Sequence, residues 1–126
     1  MSSQPLTSSQ SERLREGIAL FNRGQFFDCH EILEAAWLET SGEERTFLQG
    51  LILVAVSFHH LRQGNFIGAT RLLRAGLEKL CTCNPARQSL DVKELLETLK
   101  TLPERIETGQ ATQDSPAPEI RLLPAR

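Results

Sequence analysis

The sequence predicts an all-α protein, a single compact helical bundle of about five to six helices. Apolar residues recur at helical spacing through most of the 126 residues, and residues that start or stop helices stand between these periodic segments. One predicted helix, residues 43–63, is apolar almost all round through residues 51–56, so it must be covered on most sides. We therefore expect it to be a central helix surrounded by the others, in a chain of one-domain size.

The first two helices are predicted to form an antiparallel pair. Ser9-x-x-Glu12 has the pattern of a capping box, which starts the first helix and leaves residues 1–8 as a flexible N-terminus. Gly24 can adopt the left-handed conformation that ends a helix. A second helix follows after this short gap, over about residues 26–39, and short gaps join antiparallel neighbours.

The central and fourth helices have their own start signals. Ser41-x-x-Glu44 repeats the capping-box pattern before residues 43–63, and Asn65 is a good N-cap for a helix over about residues 66–80. That fourth helix contains Gly68 and Gly76. Because glycine is costly inside a helix, we expect another backbone to approach closely at both positions.

The C-terminal third divides into a last pair of helices and a tail. Asp91 can cap a helix over about residues 92–102, and Pro103 fits the first turn of a short continuation to residue 108. The bundle domain is thus predicted to span residues 9–108. Residues 109–126 are a polar linker followed by an extended apolar tail, for which docking on the bundle or on a partner is left open.

Composition and charge narrow the functional classes. The net charge is -2, so nothing drives sequence-independent binding to nucleic acid, and the apolar run in residues 48–58 is too short to span a membrane. Three cysteines cannot all pair within one chain, and the first residues lack the segments of a signal peptide. We expect a cytoplasmic protein with no nucleic-acid or membrane partner.

The candidate functional residues begin on the second helix. With Phe26 as origin, Trp37 lies about 20° away, His30 about 40° and Glu34 about 80° on the same flank, whereas Glu31 points outward. His30 and Glu34 are one turn apart, so their side chains can meet. A carboxylate at the edge of an apolar face needs a partner, and His30 is the nearest candidate.

Two hypotheses from different classes fit these residues. In the first, the protein is a non-enzymatic structural or interaction module, with a protein partner or a second copy of itself. Gln49 and His60, eleven residues apart, share a stripe of the central helix to within about 20°. They would complete a buried polar network with His30, Glu34 and Trp37 that fixes helix register, and no cofactor is expected.

The second hypothesis is a metal-dependent or acid–base hydrolase-type enzyme. His30 and Glu34 on one helix and His60 on another would supply two imidazoles and one carboxylate. Zinc or non-haem iron accepts such a set and keeps open positions for water or substrate. His-x-x-x-Glu differs, however, from the His-Glu-x-x-His pattern of zinc proteases.

Residues 11–80 contain an ordered series of motifs. They are Phe21-Asn-x-Gly24-x-Phe26-Phe27-x-x-His30-Glu31-x-Leu33-Glu34-x-x-Trp37, then Phe47-Leu-Gln49-Gly50-Leu-Ile, then His60-Leu-Arg-x-Gly64-Asn65-x-x-Gly68-Ala69-x-x-Leu72-Leu73. Together with the terminal Pro118-Glu-Ile-Arg-Leu, this series resembles the domain-of-unknown-function family 309.

The resemblance implies a small intracellular helical bundle around a central helix, with no established biochemical activity. The family's His-x-x-x-Glu-x-x-Trp element would fall on His30, Glu34 and Trp37. Its later Gln-Gly and His positions would fall on Gln49, Gly50 and His60. The resemblance therefore supports the fold and the compartment, and it adds no reaction.

Overall fold

A computed structural model describes residues 6–84 and 90–122, and these residues form six α-helices. Apart from one isolated bridge, no strand pairing occurs in these two ranges, so the all-α prediction is confirmed. The helices, in chain order, are α1 (Ser8–Asn22), α2 (Phe26–Trp37), α3 (Gly42–Arg62), α4 (Phe66–Leu80), α5 (Val92–Leu99) and α6 (Leu102–Glu107).

Helix α3 is the centre of the bundle, as the sequence predicts. It packs against α2 and, more extensively, against α4, while α1 lies on α2 and α6 lies on α4. Phe47, Leu48, Val54 and Ala55 of α3 are completely buried. Within the described ranges, no helix has both the length and the apolarity needed to cross a membrane.

The capping box of α1 lies two residues earlier than the predicted Ser9-x-x-Glu12 box. The Thr7 N–H donates to Gln10 Oε1 at 2.8 Å, and the Gln10 N–H donates to Thr7 Oγ1 at 3.1 Å. Gln10 Nε2 also donates to the backbone oxygen of Glu39 at 3.1 Å. This bond to the chain just after α2 supports the Thr7–Gln10 box, and the pattern in the sequence could not include it.

The other predicted caps have mixed outcomes. Asn65 and Asp91 cap α4 and α5 through side-chain oxygens that accept backbone N–H groups at 3.1 and 2.9 Å, so both predictions are confirmed. Ser41 is the N-cap of α3, but its side chain forms no capping hydrogen bond. The chain instead enters α3 through Gly42, whose φ of 64° is the left-handed conformation that glycine tolerates.

The two glycines of α4 are surrounded by different neighbours. A Cβ atom on Gly76 would lie 3.0 Å from the backbone oxygen of Gly50 on α3, so the predicted close approach of two helices is confirmed there. A Cβ atom on Gly68 would lie 2.6 Å from Nδ2 of Asn65. Its neighbour is therefore the capping side chain of its own helix, and the prediction of a second backbone at this position is wrong.

The described part of the C-terminal segment lies against the bundle. Nδ2 of Asn22 in α1 donates to the backbone oxygen of Ile120 at 3.0 Å, and the Ile120 N–H donates to Asn22 Oδ1 at 2.8 Å. Ile120 is buried, and Leu122 forms an antiparallel bridge with Leu90. Segment 120–122 is thus held by α1 on one side and by the chain before α5 on the other.

Candidate functional site

The buried arc of α2 is centred differently from the predicted one. Its buried residues are Phe26, Cys29, Leu33 and Ala36, and their mean direction lies about 40° from Phe26, on the Cys29 side. His30 is then about 80° from the centre of that arc, and Glu34 is about 120° from it. The Glu34 side chain is 50% exposed, so its predicted place at the edge of the core is wrong.

His30 and Glu34 nevertheless meet as predicted. Nε2 of His30 lies 3.1 Å from Oε2 of Glu34. Because a carboxylate oxygen accepts, Nε2 carries the hydrogen of this bond. The other ring nitrogen of His30, Nδ1, is enclosed and has no hydrogen-bond partner among the described residues.

The other histidines adjoin this pair through an aromatic ring. The Phe27 ring lies between those of His30 and His59, with centroid separations of 5.5 and 5.4 Å. The ring centroids of His59 and His60 are 5.9 Å apart. The partner of His60 is Asn65, whose Nδ2 lies 3.0 Å from His60 Nδ1. Since Oδ1 of Asn65 accepts from the backbone of α4, its amide nitrogen donates and His60 Nδ1 accepts.

Trp37 stands at the opposite end of α2 and pairs with an arginine of α3. The guanidinium carbon of Arg45 lies 3.9 Å from the centroid of the Trp37 ring. Arg45 Nη1 also donates to the backbone oxygens of Trp37 and Thr40 at 3.3 and 3.1 Å. The Trp37 indole Nε1 is buried and unpartnered within the described ranges. Arg45, which was not among the predicted site residues, thus holds the end of α2 against α3.

The predicted network is divided into separate local contacts. His30 pairs with Glu34, His60 with Asn65 and Trp37 with Arg45, whereas Glu31 is exposed. Gln49 is half-buried, and its side chain forms no hydrogen bond with the described residues. The six candidates therefore do not join into a single buried network.

The predicted metal ligands do not converge. In residues 6–84 and 90–122, no group of three or more His, Cys, Asp or Glu side chains is placed to hold a metal ion. His60 is directed to Asn65 by its bond in the α3–α4 turn, while Glu34 is turned outward on α2. The set of His30, Glu34 and His60 is therefore not assembled in this structure.

Cys29 is expected to resist alkylation in the folded protein. Burial raises the pKa of its thiol from the ordinary value of 9.0 to about 12, and the thiolate is the reactive form. Iodoacetamide at neutral pH should label the exposed Cys81 and leave Cys29 unmodified, as measured by peptide mass spectrometry. Labelling in urea is the control, and equal native rates at Cys29 and Cys81 would contradict the expectation.

The same pKa shift predicts a dependence of stability on alkaline pH. The folded state keeps the Cys29 thiol neutral, whereas the unfolded chain loses the proton near pH 9.0. The contribution of Cys29 is therefore complete below that value and decreases as pH rises toward about 12.

The outward side of α2 carries a mixed apolar and acidic surface. Phe27 and Leu38 are 51% and 64% exposed. Glu31 and Glu34 lie between them along the chain, and all four side chains point within an arc of about 60° around the helix axis. We call these four residues the α2 stripe. Glu31 is outward as predicted, whereas the common direction of Phe27 and Leu38, which follows from their separation by eleven residues, was not predicted.

Comparison with known proteins identifies the family. Residues 14–72 match the model of the family described as "Domain of unknown function (DUF309)". The chain carries this domain. The DUF309 segment extends from α1 into α4, so it contains α2, α3 and the whole α2 stripe.

Curated relatives of this DUF309 chain are themselves described as uncharacterized. The chain is 37% identical over 89 residues to the "Uncharacterized protein YpuF" of Bacillus subtilis (strain 168), a match that covers 68% of this chain and 51% of the relative. It is 28% identical over 89 residues to an "Uncharacterized protein" of Aquifex aeolicus (strain VF5), covering 70% of this chain and 27% of that relative. The chain thus spans about half the length of one relative and about a quarter of the other.

Proposed function

We propose that this protein is a non-enzymatic interaction module whose α2 stripe binds a basic amphipathic helix of a partner protein. The observation that carries the proposal is the order of exposed residues on one direction of α2: an apolar ring, two carboxylates and an apolar end. Large exposed apolar side chains on a common stripe are typical of surfaces that bind other proteins.

The spacing of the stripe suits a helical partner. Phe27 and Leu38 are separated by eleven residues, which is about three turns and about 16 Å along the axis. A helix lying along α2 would place its own apolar side chains against both of them. Lys or Arg side chains between those apolar residues would then lie opposite Glu31 and Glu34.

Charge favours a basic partner over a second copy of the chain. An antiparallel pair of α2 helices would bring Glu31 of each copy against Glu34 of the other, and a parallel pair would oppose identical glutamates. Either arrangement gathers four carboxylates in one contact, and like charges at an interface are costly. Asp28 adds a further acidic group near the start of the stripe.

The acid–base hypothesis draws less support from the same contacts. One ring nitrogen of His30 is enclosed and the other is bonded to Glu34. Nδ1 of His60 is bonded to Asn65. A general base needs a nitrogen within reach of the proton that it removes, and the bond between His30 and Glu34 instead orients the side chains beside the stripe.

The test measures binding of a synthetic helical peptide by calorimetry. The peptide has two Leu side chains three turns apart with two Lys between them, and a matched peptide has Glu in place of Lys. We expect the Lys peptide to bind more tightly. Double charge reversal, Glu31→Lys with Glu34→Lys, should weaken its binding by roughly tenfold or more and should improve binding of the Glu peptide.

A matched control keeps the result specific. Glu12 and Glu16 are exposed and four residues apart on α1, so Glu12→Lys with Glu16→Lys changes net charge equally on a different helix. This control should bind the Lys peptide nearly as the native protein does. Equal binding of both peptides, or equal loss in both double variants, would overturn the proposal, and circular dichroism verifies that each variant is folded.

A further inference from the structure

A concave surface lies between α4 and α6. Its volume is about 640 Å³, within the range of small-molecule sites. The cleft is distinct from the α2 stripe, and the proposed function does not use it. Its apolar walls are Phe66, Ile67 and Ile106, and Arg71 and Arg74 stand beside them.

The two arginines of this cleft differ in their charge balance. Arg74 donates through Nη1 and Nη2 to both carboxylate oxygens of Glu107, at 2.9 and 2.7 Å. That bond raises the pKa of Arg74 and lowers the pKa of Glu107. Arg71 is exposed and has no ion pair or hydrogen bond with the described residues. The cleft therefore offers one cation whose charge is not balanced by a neighbour within those ranges.

The walls of the cleft include exposed apolar side chains and one buried hydroxyl. Ile67 is 77% exposed and Phe66 is 39% exposed, although both lie beside a concave surface that could cover them. Thr70, on the same wall, is only 5% exposed, and its hydroxyl has no hydrogen-bond partner among the described residues. A ligand in the cleft would cover the two exposed apolar side chains, whereas the enclosed Thr70 hydroxyl lies beneath them.

We propose that the α4–α6 cleft binds an amphipathic monocarboxylate, with its carboxylate on Arg71 and its apolar chain along Ile67 and Phe66. A planar carboxylate matches the paired N–H donors of a guanidinium. Arg74 keeps its two hydrogen bonds to Glu107 and so joins the α4 and α6 sides of the cleft. A single negative charge is favoured because, among the described residues of the cleft, Arg74 is already paired with Glu107 and Arg71 has no carboxylate partner.

Calorimetry of the full chain with octanoate tests the proposal, and 1-octanol provides a neutral ligand of matched chain length. We expect octanoate to bind and 1-octanol to bind at least roughly tenfold more weakly. Arg71→Gln should weaken octanoate binding by a similar factor, and Ile67→Ser should weaken both ligands. Arg23→Gln, which removes an exposed arginine at the end of α1, should leave binding unchanged.

A second binding experiment distinguishes a free carboxylic acid from the C-terminal carboxylate of a protein chain. An acetylated Leu-Phe-Ile peptide with a free C-terminal carboxylate represents the end of a protein chain, and its C-terminal amide is the control. Binding of octanoate alone assigns a free acid, and tighter binding of the peptide acid than of octanoate assigns a chain terminus. Failure of both acids to bind, equal binding of octanoate and octanol, or native affinity in Arg71→Gln would overturn the proposal.

Discussion

Replacing Phe58 by alanine is expected to lower the free energy of unfolding by about 3–5 kcal/mol. Phe58 is only 1% exposed. Its ring lies edge-on to Phe21, with centroids 5.7 Å apart, and stacks on Phe26 at 5.3 Å. These three rings join α1, α2 and α3, so truncation leaves a cavity where three helices meet, and the surrounding backbone can fill it only in part.

Urea denaturation followed by circular dichroism measures this loss. Phe27→Ala is the matched control because Phe27 is 51% exposed, and removal of an exposed ring should cost less than about 1 kcal/mol. Similar losses in the two variants would mean that the ring cluster does not carry the expected share of the core energy.

Valine at position 76 is expected to destabilise the protein by about 3 kcal/mol. The first added carbon on Gly76 would lie 3.0 Å from the backbone oxygen of Gly50 and 3.1 Å from both Cβ of Leu53 and Cγ2 of Val54. None of these atoms is the end of a long flexible side chain, so α3 and α4 would have to separate. Because valine is a better helix former than glycine, the loss would come from packing alone.

The control for this substitution is Ala75→Val, one position earlier on the same helix. Ala75 is half-buried, and the same side chain there should cost much less in the same urea titration. A Gly76→Val protein that is as stable as Ala75→Val would contradict the close contact between α3 and α4.

The helices were predictable because their signals are local. The spacing of apolar residues and the side chains of Asn65 and Asp91 indicate α4 and α5 without reference to other helices. The start of α1 was not predictable in this way. Thr7-x-x-Gln10 and Ser9-x-x-Glu12 both fit a capping box, and Gln10 is favoured by a bond to Glu39 that exists only in the folded bundle.

The contact between His30 and Glu34 was predictable from the sequence, whereas the burial of these side chains was not. A helical wheel gives the angle between His30 and Glu34 and so predicts their contact. It does not give the centre of the buried arc, which depends on where α1 and α3 pack. His60 illustrates a second limit, since its bond to Asn65 is made across a turn and replaces the predicted contact with α2.

The hydrogen bonds between Asn22 and Ile120 have a consequence for the order of folding. They join residues 98 positions apart in the chain, whereas α1 to α4 contact mainly their sequence neighbours. Long-range closure costs more chain entropy than the formation of helical hairpins. The C-terminal segment should therefore be the last part to dock. Amide exchange at Ile120 should then report local release of this segment, at a lower free energy than the opening of α3.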